Sequence, residues 1–226
     1  MRLSELISTP IVEGIHDPAI FKAIFIIGGP GSGKSYVARQ LGLNALGFVN
    51  INSDVALSYL MKKSNLNLKM PPEEHDLRAN ARARAKDLTI GKFSNSIEGR
   101  LGLIIDGTGE DYTKTLSMAE NLHAIGYETF LIVVNTNLDI AKSRNAARER
   151  SVPNDILEKK WHGVQQNIGK FTRSFKNHKI IDNNGDGPET QSQIMNVYKD
   201  VVKWANHSPS TPKAKEWLNM MKPGHM

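Results

Sequence analysis

The 226-residue sequence contains no cysteine and no long apolar run. The absence of cysteine excludes disulfide scaffolds, cysteine-ligated zinc, iron–sulfur clusters and thiol nucleophiles. It is also compatible with the reducing cytoplasm, where we expect the protein to work. No stretch reaches the roughly 18 apolar residues of a membrane span, so we expect no membrane partner. Hydrophobic residues still make up 39% of the chain, which is enough to form a buried core.

Positive charge exceeds negative charge in this sequence. There are 29 Lys and Arg residues against 23 Asp and Glu residues, which gives a formal net charge of +6. A basic balance favours anionic partners. Two alternatives stay open, because many soluble proteins are basic without such a partner and because a local cluster that binds ATP would add positive charge by itself.

Short apolar segments alternate with segments long enough for helices. Strands are predicted at Ala23–Ile27, Phe48–Ile51, Leu101–Ile105, Thr129–Val134 and Lys179–Ile181. The longer ones are continuous rather than alternating, which is typical of parallel strands covered on both faces. Helices are predicted at Ser35–Leu46, Val55–Lys63, Pro72–Phe93, Thr113–Ile125, Leu138–Arg150, Asn154–Phe175 and Gln191–Trp204. The alternation predicts an α/β fold with a doubly wound, mostly parallel five-stranded sheet.

Residues 21–205 are predicted to form one domain. Residues 1–20, which include Pro10, Gly14 and Pro18, are predicted to be an irregular lead-in. Residues 206–226 are predicted to comprise a Ser/Pro-rich linker and a short amphipathic helix at Lys213–Met221.

The segment Gly28–Ser35 matches the phosphate-binding pattern G-x-x-x-x-G-K-[ST]. It follows a predicted strand and opens a predicted helix, which is the context that gives the match meaning. Glycines let backbone N–H groups turn toward phosphate oxygens, and a helix N-terminus adds a positive dipole end. Lys34 can reach the β- and γ-phosphates, and Ser35 can ligate Mg²⁺. The residues predicted to contact ATP in this loop are Gly29, Pro30, Gly31, Ser32, Gly33, Lys34, Ser35 and Tyr36.

The acidic residue after the third predicted strand helps to separate the classes of phosphate-binding protein. The sequence has no Asn-Lys-x-Asp pattern for guanine, and the strand is followed by one acid, Asp106, rather than the adjacent acids typical of motor and AAA-type ATPases. This combination favours a kinase. Asp106 is predicted to hold Mg²⁺ through water or to contact the acceptor, and the alternative is a turn residue that caps the next element.

Asp54 follows the second predicted strand, at the start of a helix. The carboxyl ends of parallel strands converge on the ligand edge of a sheet. A carboxylate at that edge can accept the proton of an attacking hydroxyl, so Asp54 is the predicted base. The alternative is that Ser53 or Asp54 is only a helix cap.

Arg144 and Arg148 are four residues apart and are predicted to share one helix face. Guanidinium groups on a lid over ATP would neutralise the charge that spreads over the transferring group. The alternative is an ordinary solvated face. Arg150 is a weaker candidate, for which a local ion pair is the alternative.

Three segments together resemble the kinase domain of bacteriophage polynucleotide 5′-kinases. They are Gly28–Ser35, Gly47–Asp54 (GFVNINSD) and Arg144–Leu157 (RNAARERSVPNDIL). The resemblance implies a three-layer P-loop NTPase fold with kinase-type strand order, a helical lid, and ATP and Mg²⁺ as cofactors. The zeta-toxin kinases, which phosphorylate a small nucleotide sugar, are similar in the phosphate loop, the base and the lid arginines.

The resemblance also implies roles for individual residues. Lys34 and Ser35 would act on phosphate and metal, Asp54 would be the base, and Arg144 and Arg148 would be lid arginines. In kinases of this type the loop after the last strand borders adenine, which makes Asn183 a predicted nucleotide contact. Both families usually place an arginine three residues after the base, where this sequence has Leu57.

The acceptor implied by the resemblance is the 5′-hydroxyl of a polynucleotide, in a host cytoplasm if the chain is phage-encoded. A nucleotide or other small phosphorylated metabolite is the alternative acceptor. A nucleotide-binding module without kinase activity and an ATPase coupled to nucleic-acid movement are further alternatives, and the oligomeric state is open. Arg78 and Arg82 share one predicted helix face along which a nucleic-acid strand could run.

Overall fold

The computed structural model describes residues 15–17, 19–69, 71–185 and 187–222. Most of the predicted lead-in therefore lies outside the described residues. Across the described ranges, none of the helices combines the length and the apolar character that crossing a bilayer requires.

A single parallel sheet of five strands forms the centre of the molecule. The strand order is β2-β3-β1-β4-β5, and each neighbouring pair is parallel. The strands are β1 (Lys22–Ile27), β2 (Phe48–Ile51), β3 (Gly102–Gly107), β4 (Glu128–Asn135) and β5 (His178–Asp182). The central strand β1 is buried along its whole length, as expected for a strand covered on both faces. The predicted parallel sheet is confirmed.

Helices cover both faces of the sheet. They are α1 (Lys34–Gln40), α2 (Ser53–Lys63), α3 (His75–Glu98), α4 (Tyr112–Ala124), α5 (Leu138–Ala147), α6 (Asn154–Ser174), α7 (Pro188–Asn206) and α8 (Pro212–Met220). One core contains Ile24 and Ile26 of β1 with residues of α1 and α7. The second core contains Phe25 and Ile27 with residues of α4, α6 and α8. Successive β1 side chains thus enter opposite cores, which gives three layers.

Two predicted helices end at least three residues earlier than their sequence pattern suggested. The first stops at Gln40 because Gly42 adopts a left-handed conformation with φ of 55°, and a short 3-10 helix follows at Leu43–Leu46. The helix predicted at Leu138–Arg150 stops at Ala147, and Arg148 is extended with φ of −74° and ψ of 148°. The second change bears on the predicted lid arginines.

The C-terminal segment packs on the body of the molecule. Ser210 donates its backbone N–H to Glu128 Oε1 at 2.6 Å, and the Trp217 ring meets the Phe21 ring edge-on with centroids 5.5 Å apart. Ala214 of α8 is fully buried. These contacts explain why the predicted short helix forms, and a domain boundary at residue 206 stays a prediction.

Candidate active site

The phosphate-binding loop is packed too tightly for side chains at two of its glycines. Gly31 and Gly33 have φ of 80° and 89°, which L-residues rarely adopt. A Cβ on Gly31 would overlap the Ala141 carbonyl oxygen of α5, and one on Gly33 would overlap the Asn183 amide nitrogen. Glycine is therefore required at these two positions, both by the backbone conformation and by the close approach of neighbouring elements.

Lys34 lies at the first position of α1 and folds back onto the loop. Its Nζ donates to the Gly28 carbonyl oxygen at 2.8 Å and to the Gly29 carbonyl oxygen at 3.4 Å. Burial lowers the pKa of Lys34, and the Asp106 carboxylate acts in the opposite direction. An anionic phosphate in the loop would therefore favour the charged ammonium.

Asn52 joins the ends of β2 and β3. Its Oδ1 accepts a hydrogen bond from the Asp54 backbone N–H at 2.7 Å, which caps α2. Its Nδ2 donates to Asp106 Oδ2 at 2.6 Å. Asn52, rather than Ser53 or Asp54, therefore caps α2, and the Asp54 carboxylate is not used for capping.

Asp106 lies within β3 rather than in a turn after it. Burial raises the pKa of Asp106, and the Lys34 ammonium acts against that shift. The next helix, α4, is capped by Asp111, whose Oδ1 accepts from the Lys114 backbone N–H at 2.9 Å. Asp106 is therefore not the cap that the alternative interpretation required, and its carboxylate lies at the same edge as the phosphate-binding loop.

Asp54 is largely open to solvent and pairs with a lid residue. Its side chain is 60% exposed, and its Oδ1 lies 2.9 Å from Arg150 Nη2, whose side chain is only 13% exposed. The Asp54 charge also acts on the Lys34 ammonium. The predicted base and the predicted phosphate-binding lysine thus lie at the same edge of the sheet.

The two predicted lid arginines do not share a helix face, which corrects the sequence interpretation. Arg144 lies on α5, and its Nη1 donates to the Asn183 carbonyl oxygen at 2.7 Å. Arg148 lies beyond the end of α5, in extended backbone, and is exposed. Its charge nevertheless acts on both Lys34 and Asp106. The two arginines approach the site from different elements of the lid.

Asn183 has a different position from the one expected of an adenine contact. Its side chain is buried, and its Nδ2 donates to the Ser32 carbonyl oxygen at 2.7 Å. It therefore supports the phosphate-binding loop from the β5 side. The hydrogen bond from Arg144 to the Asn183 carbonyl extends the same support to α5.

The oxygen donors at this edge fit Mg²⁺. Ser35 is exposed, and Asp106 is partly exposed beside Lys34. Within the described residues there is no cluster of three or more His, Cys, Asp or Glu that could hold a metal ion. Mg²⁺ usually keeps several waters and binds through one or two protein oxygens together with substrate phosphates, so the donors present suit it.

Three further residues of the site were missed by sequence reasoning. Lys160 of α6 pairs with Glu110 at 2.6 Å, and its charge acts on Lys34. Trp161 lies against Gly29 and donates its indole N–H to the Thr136 carbonyl oxygen at 2.8 Å. Asn52 lies in the segment INSD at the start of α2. Asparagine is a preferred N-cap residue, so its capping role could have been predicted from the sequence. Nothing in the sequence distinguishes Lys160 from a solvated lysine.

Leu57 occupies the position where the resembling families usually have arginine. It is buried and packs with Met61 of α2 and Ala85 of α3. The substitution therefore contributes to the contact between two helices. The guanidinium beside Asp54 comes instead from Arg150.

The predicted basic face of α3 is only partly available. Arg78 donates to the Pro71 carbonyl oxygen, whereas Arg82 is exposed. A guanidinium that is engaged with the backbone is a weaker phosphate contact than a free one. Of the two arginines predicted for this face, Arg82 is therefore the better placed to meet nucleic-acid phosphates.

Comparisons with known proteins agree with this fold. A family model described as an AAA domain matches residues 24–171. A candidate kinase from Chloroflexus aurantiacus has a similar structure, with a TM-score of 0.56 and 14% identity over 84% of this chain and 99% of that chain. A chain of the Pnkp1/Rnl/Hen1 RNA repair complex has a TM-score of 0.51 and 19% identity over 72% of this chain and 49% of that chain.

A shikimate kinase from Bacteroides thetaiotaomicron is also similar, with a TM-score of 0.48 and 14% identity over 79% of this chain and 97% of that chain. No curated protein matches the sequence. At these identities the likenesses concern the fold alone. The family model and the Chloroflexus aurantiacus structure confirm the predicted three-layer P-loop fold of the kinase type.

Proposed function

This chain belongs to the AAA domain family of kinase-like P-loop NTPases, and from that premise we propose that it is an ATP-dependent kinase that phosphorylates a hydroxyl group. The observation that carries the proposal is the convergence of Lys34, Asp106 and Asp54 at one edge of the sheet, where the charges of both carboxylates act on the lysine. A phosphate-binding lysine and a carboxylate that can receive a proton are the two groups that phosphoryl transfer to a hydroxyl needs.

In this proposal the residues divide into a donor side and an acceptor side. The loop glycines, Lys34 and the arginines of the lid hold the triphosphate and offset charge on the transferring group. Asp54 orients the acceptor hydroxyl and receives its proton as the new P–O bond forms and ADP leaves. Ser35 and Asp106 would hold Mg²⁺, which supplies neutralisation of phosphate charge when bound.

The proposed acceptor is the 5′-hydroxyl of a polynucleotide. The choice is supported by the GFVNINSD and RNAARERSVPNDIL segments, which resemble polynucleotide 5′-kinases, and by the net charge of +6. The likeness to a chain of an RNA repair complex concerns the fold only and adds nothing to this choice.

A small phosphorylated metabolite is the second candidate acceptor. It is supported by the similarity of the phosphate loop, the base and the lid arginines to those of the zeta-toxin kinases. Leu57, where both families usually place a substrate-side arginine, counts equally against both acceptors and favours instead a nucleotide-binding module without kinase activity. A translocating ATPase is disfavoured because β3 carries the single acid Asp106. In a nucleotide-binding module without catalysis, the Asp54 carboxylate would have no acceptor hydroxyl to deprotonate.

The test supplies the protein with γ-labelled ATP and Mg²⁺ and offers 5′-hydroxyl oligonucleotides, nucleosides and nucleotide sugars in parallel. We expect label in the oligonucleotide, a loss of about 100- to 10,000-fold in Asp54→Asn, and no effect in Asp200→Asn, a matched change on α7. Label only in small molecules would support the second candidate. Tight ATP binding without transfer to any acceptor would contradict the kinase proposal, and full activity in Lys34→Ala would contradict the assignment of the loop.

A further inference from the structure

Three consecutive residues of the loop after α5 contact the acceptor side of the molecule. Arg150 Nη2 lies 2.9 Å from Asp54 Oδ1, and Glu149 Oε1 lies 2.8 Å from Lys62 Nζ. The Arg148 carbonyl oxygen accepts a hydrogen bond from Lys69 Nζ at 2.6 Å. We call this set of contacts, between residues 148–150 and α2 with its following turn, the lid seam.

The spacing of these contacts shows that the loop lies along α2. Asp54 and Lys62 are two helical turns apart and project on neighbouring parts of one side of α2. Their partners, Arg150 and Glu149, are adjacent in the chain. Two adjacent loop residues of opposite charge therefore meet two residues of α2 that carry the complementary charges.

The base of the loop is fixed by a buried asparagine. Asn145 donates its Nδ2 to the Val152 carbonyl oxygen at 2.7 Å, and its Oδ1 accepts from the Val152 backbone N–H at 3.0 Å. The Asn145 side chain is buried at the end of α5. These two hydrogen bonds close the loop and therefore fix the position of the Arg150 backbone.

The pair between Arg150 and Asp54 differs from an ordinary surface ion pair. Exposed pairs contribute little because both side chains stay mobile. Here the Arg150 side chain is 13% exposed while the Asp54 side chain is 60% exposed. A shielded arginine therefore holds an accessible carboxylate, and the contact is made at Oδ1.

We propose that Arg150 is a positioning residue that orients the Asp54 carboxylate toward the acceptor when the lid seam is formed. This inference rests on the proposed function, because it assigns Arg150 to the reaction that Asp54 serves. The contact at Oδ1 restricts rotation of the carboxylate and leaves the other oxygen to receive the hydroxyl proton. The same loop carries Arg148, whose charge acts on Lys34 and Asp106, so docking of the loop arranges the donor side and the acceptor side together.

A double-mutant cycle with Asp54 tests the inference most sharply. We expect Arg150→Ala to lower kcat by about 10- to 100-fold and to leave KM for ATP within about twofold, because the Arg150 guanidinium is engaged with Asp54 on the acceptor side. In an Asp54→Asn background, the same Arg150 change should have no further effect, since a positioning residue acts only through its partner. Arg150→Lys should recover part of the lost kcat.

Two controls separate positioning from general stability. Arg173→Ala, which removes an exposed arginine near the end of α6, should change neither kcat nor the melting temperature. Lys62→Glu should lower kcat by weakening the lid seam, and adding Glu149→Lys should restore it by reversing the ion pair.

Distinct outcomes would overturn the inference and the proposed function. If Arg150→Ala lowered kcat equally in the unaltered protein and in the Asp54→Asn background, Arg150 would not act through the base. An Arg150→Ala variant in which only KM for ATP rises would show the same. Unchanged kinetics in Arg150→Ala, with the unaltered protein active, would overturn the inference and leave the kinase standing. Absence of transfer by the unaltered protein would overturn both.

Discussion

At the scale of single residues, the site is governed by charges that are partly removed from water. Asp106 and Lys34 lie at the same edge, and burial raises the pKa of Asp106 while it lowers the pKa of Lys34. Both shifts favour the neutral forms of the two groups. The charged forms of Asp106 and Lys34 therefore serve ligand binding rather than protein stability, because a bound triphosphate with its cation would favour them.

Replacement of Asp106 is expected to stabilise the free protein at neutral pH. The folded-state pKa of Asp106 is raised above its ordinary value of 3.8, so the ionised group costs stability progressively as pH rises from 3.8 through the folded-state pKa. Asp106→Asn removes this cost and keeps an oxygen that can accept from Asn52. We expect the melting temperature at pH 7.5 to rise by about 2–4 °C, as roughly 1 kcal/mol gives in a domain of this size.

Calorimetry at pH 4 and pH 7.5 checks this expectation. The difference between the variant and the unaltered protein should be smaller at pH 4, close to the ordinary pKa of 3.8, because the cost of ionising Asp106 has only begun to accumulate there. The variant should also lose most of the stabilisation that Mg²⁺ with ATP gives the unaltered protein. A lower melting temperature for Asp106→Asn at pH 7.5 would contradict the assigned direction.

Asn183 gives a second test at this scale. The Asn183 side chain donates to the Ser32 carbonyl oxygen and is therefore engaged with the loop rather than with a nucleobase. We therefore expect Asn183→Ala to weaken the binding of ATP and the binding of GTP by the same factor, about 10-fold. Isothermal titration with both nucleotides measures the two factors. A selective loss of ATP would instead support the adenine contact that the sequence suggested.

At the scale of elements, the phosphate-binding loop is held between α1, α5 and the end of β5. Gly31→Ala would add a Cβ that overlaps the Ala141 carbonyl oxygen and would impose a strained backbone. We expect at least a 10-fold loss of ATP affinity together with a lower melting temperature, measured by titration and calorimetry.

A matched glycine provides the control for that change. Gly91 lies in the middle of α3, where an added Cβ would meet no atom within 4 Å. Gly91→Ala should raise the melting temperature by about 2–4 °C, because alanine is the better helix former by roughly 1 kcal/mol. An equal loss of ATP affinity in both variants would show that the loop does not depend on its packing against α5.

The elements themselves could be predicted from sequence far better than their ends. Apolar segments identified all five strands. The longer ones are continuous because β1 and most of β4 are buried on both faces, whereas β5 lies at the sheet edge and is mostly exposed. The end of α5 was wrong by three residues because no glycine or proline marks Ala147, and the hydrogen bonds of Asn145 with Val152 decide where the chain leaves the helix. That error placed Arg144 and Arg148 on one face.

At the scale of the whole molecule, local patterns and distant contacts differ in how far the sequence reveals them. The phosphate-binding loop is one continuous segment, so its residue types and spacing were sufficient to find it. The pair between Asp54 and Arg150 joins α2 to the lid across most of the sheet. No pattern in a single sequence links two such positions, and the same holds for the contact of Asn183 with Ser32.

The net charge of +6 leads to a prediction about the acceptor. If a single-stranded oligonucleotide binds through about three phosphates, its KM should rise roughly 20-fold between about 50 and 200 mM salt, because bound counterions are released on association. KM for ATP should rise much less over the same range. Steady-state kinetics at fixed Mg²⁺ check this, and an oligonucleotide KM that does not depend on salt would favour a small acceptor.

A crystal structure with a non-hydrolysable ATP analogue, Mg²⁺ and a 5′-hydroxyl oligonucleotide would test the proposed reaction geometry most directly. We expect the triphosphate to lie on Lys34 and the acceptor hydroxyl to stand between the γ-phosphorus and the Asp54 carboxylate, within about 3.2 Å of one carboxylate oxygen. A terminal phosphate directed away from Asp54, with the hydroxyl bound elsewhere, would contradict it.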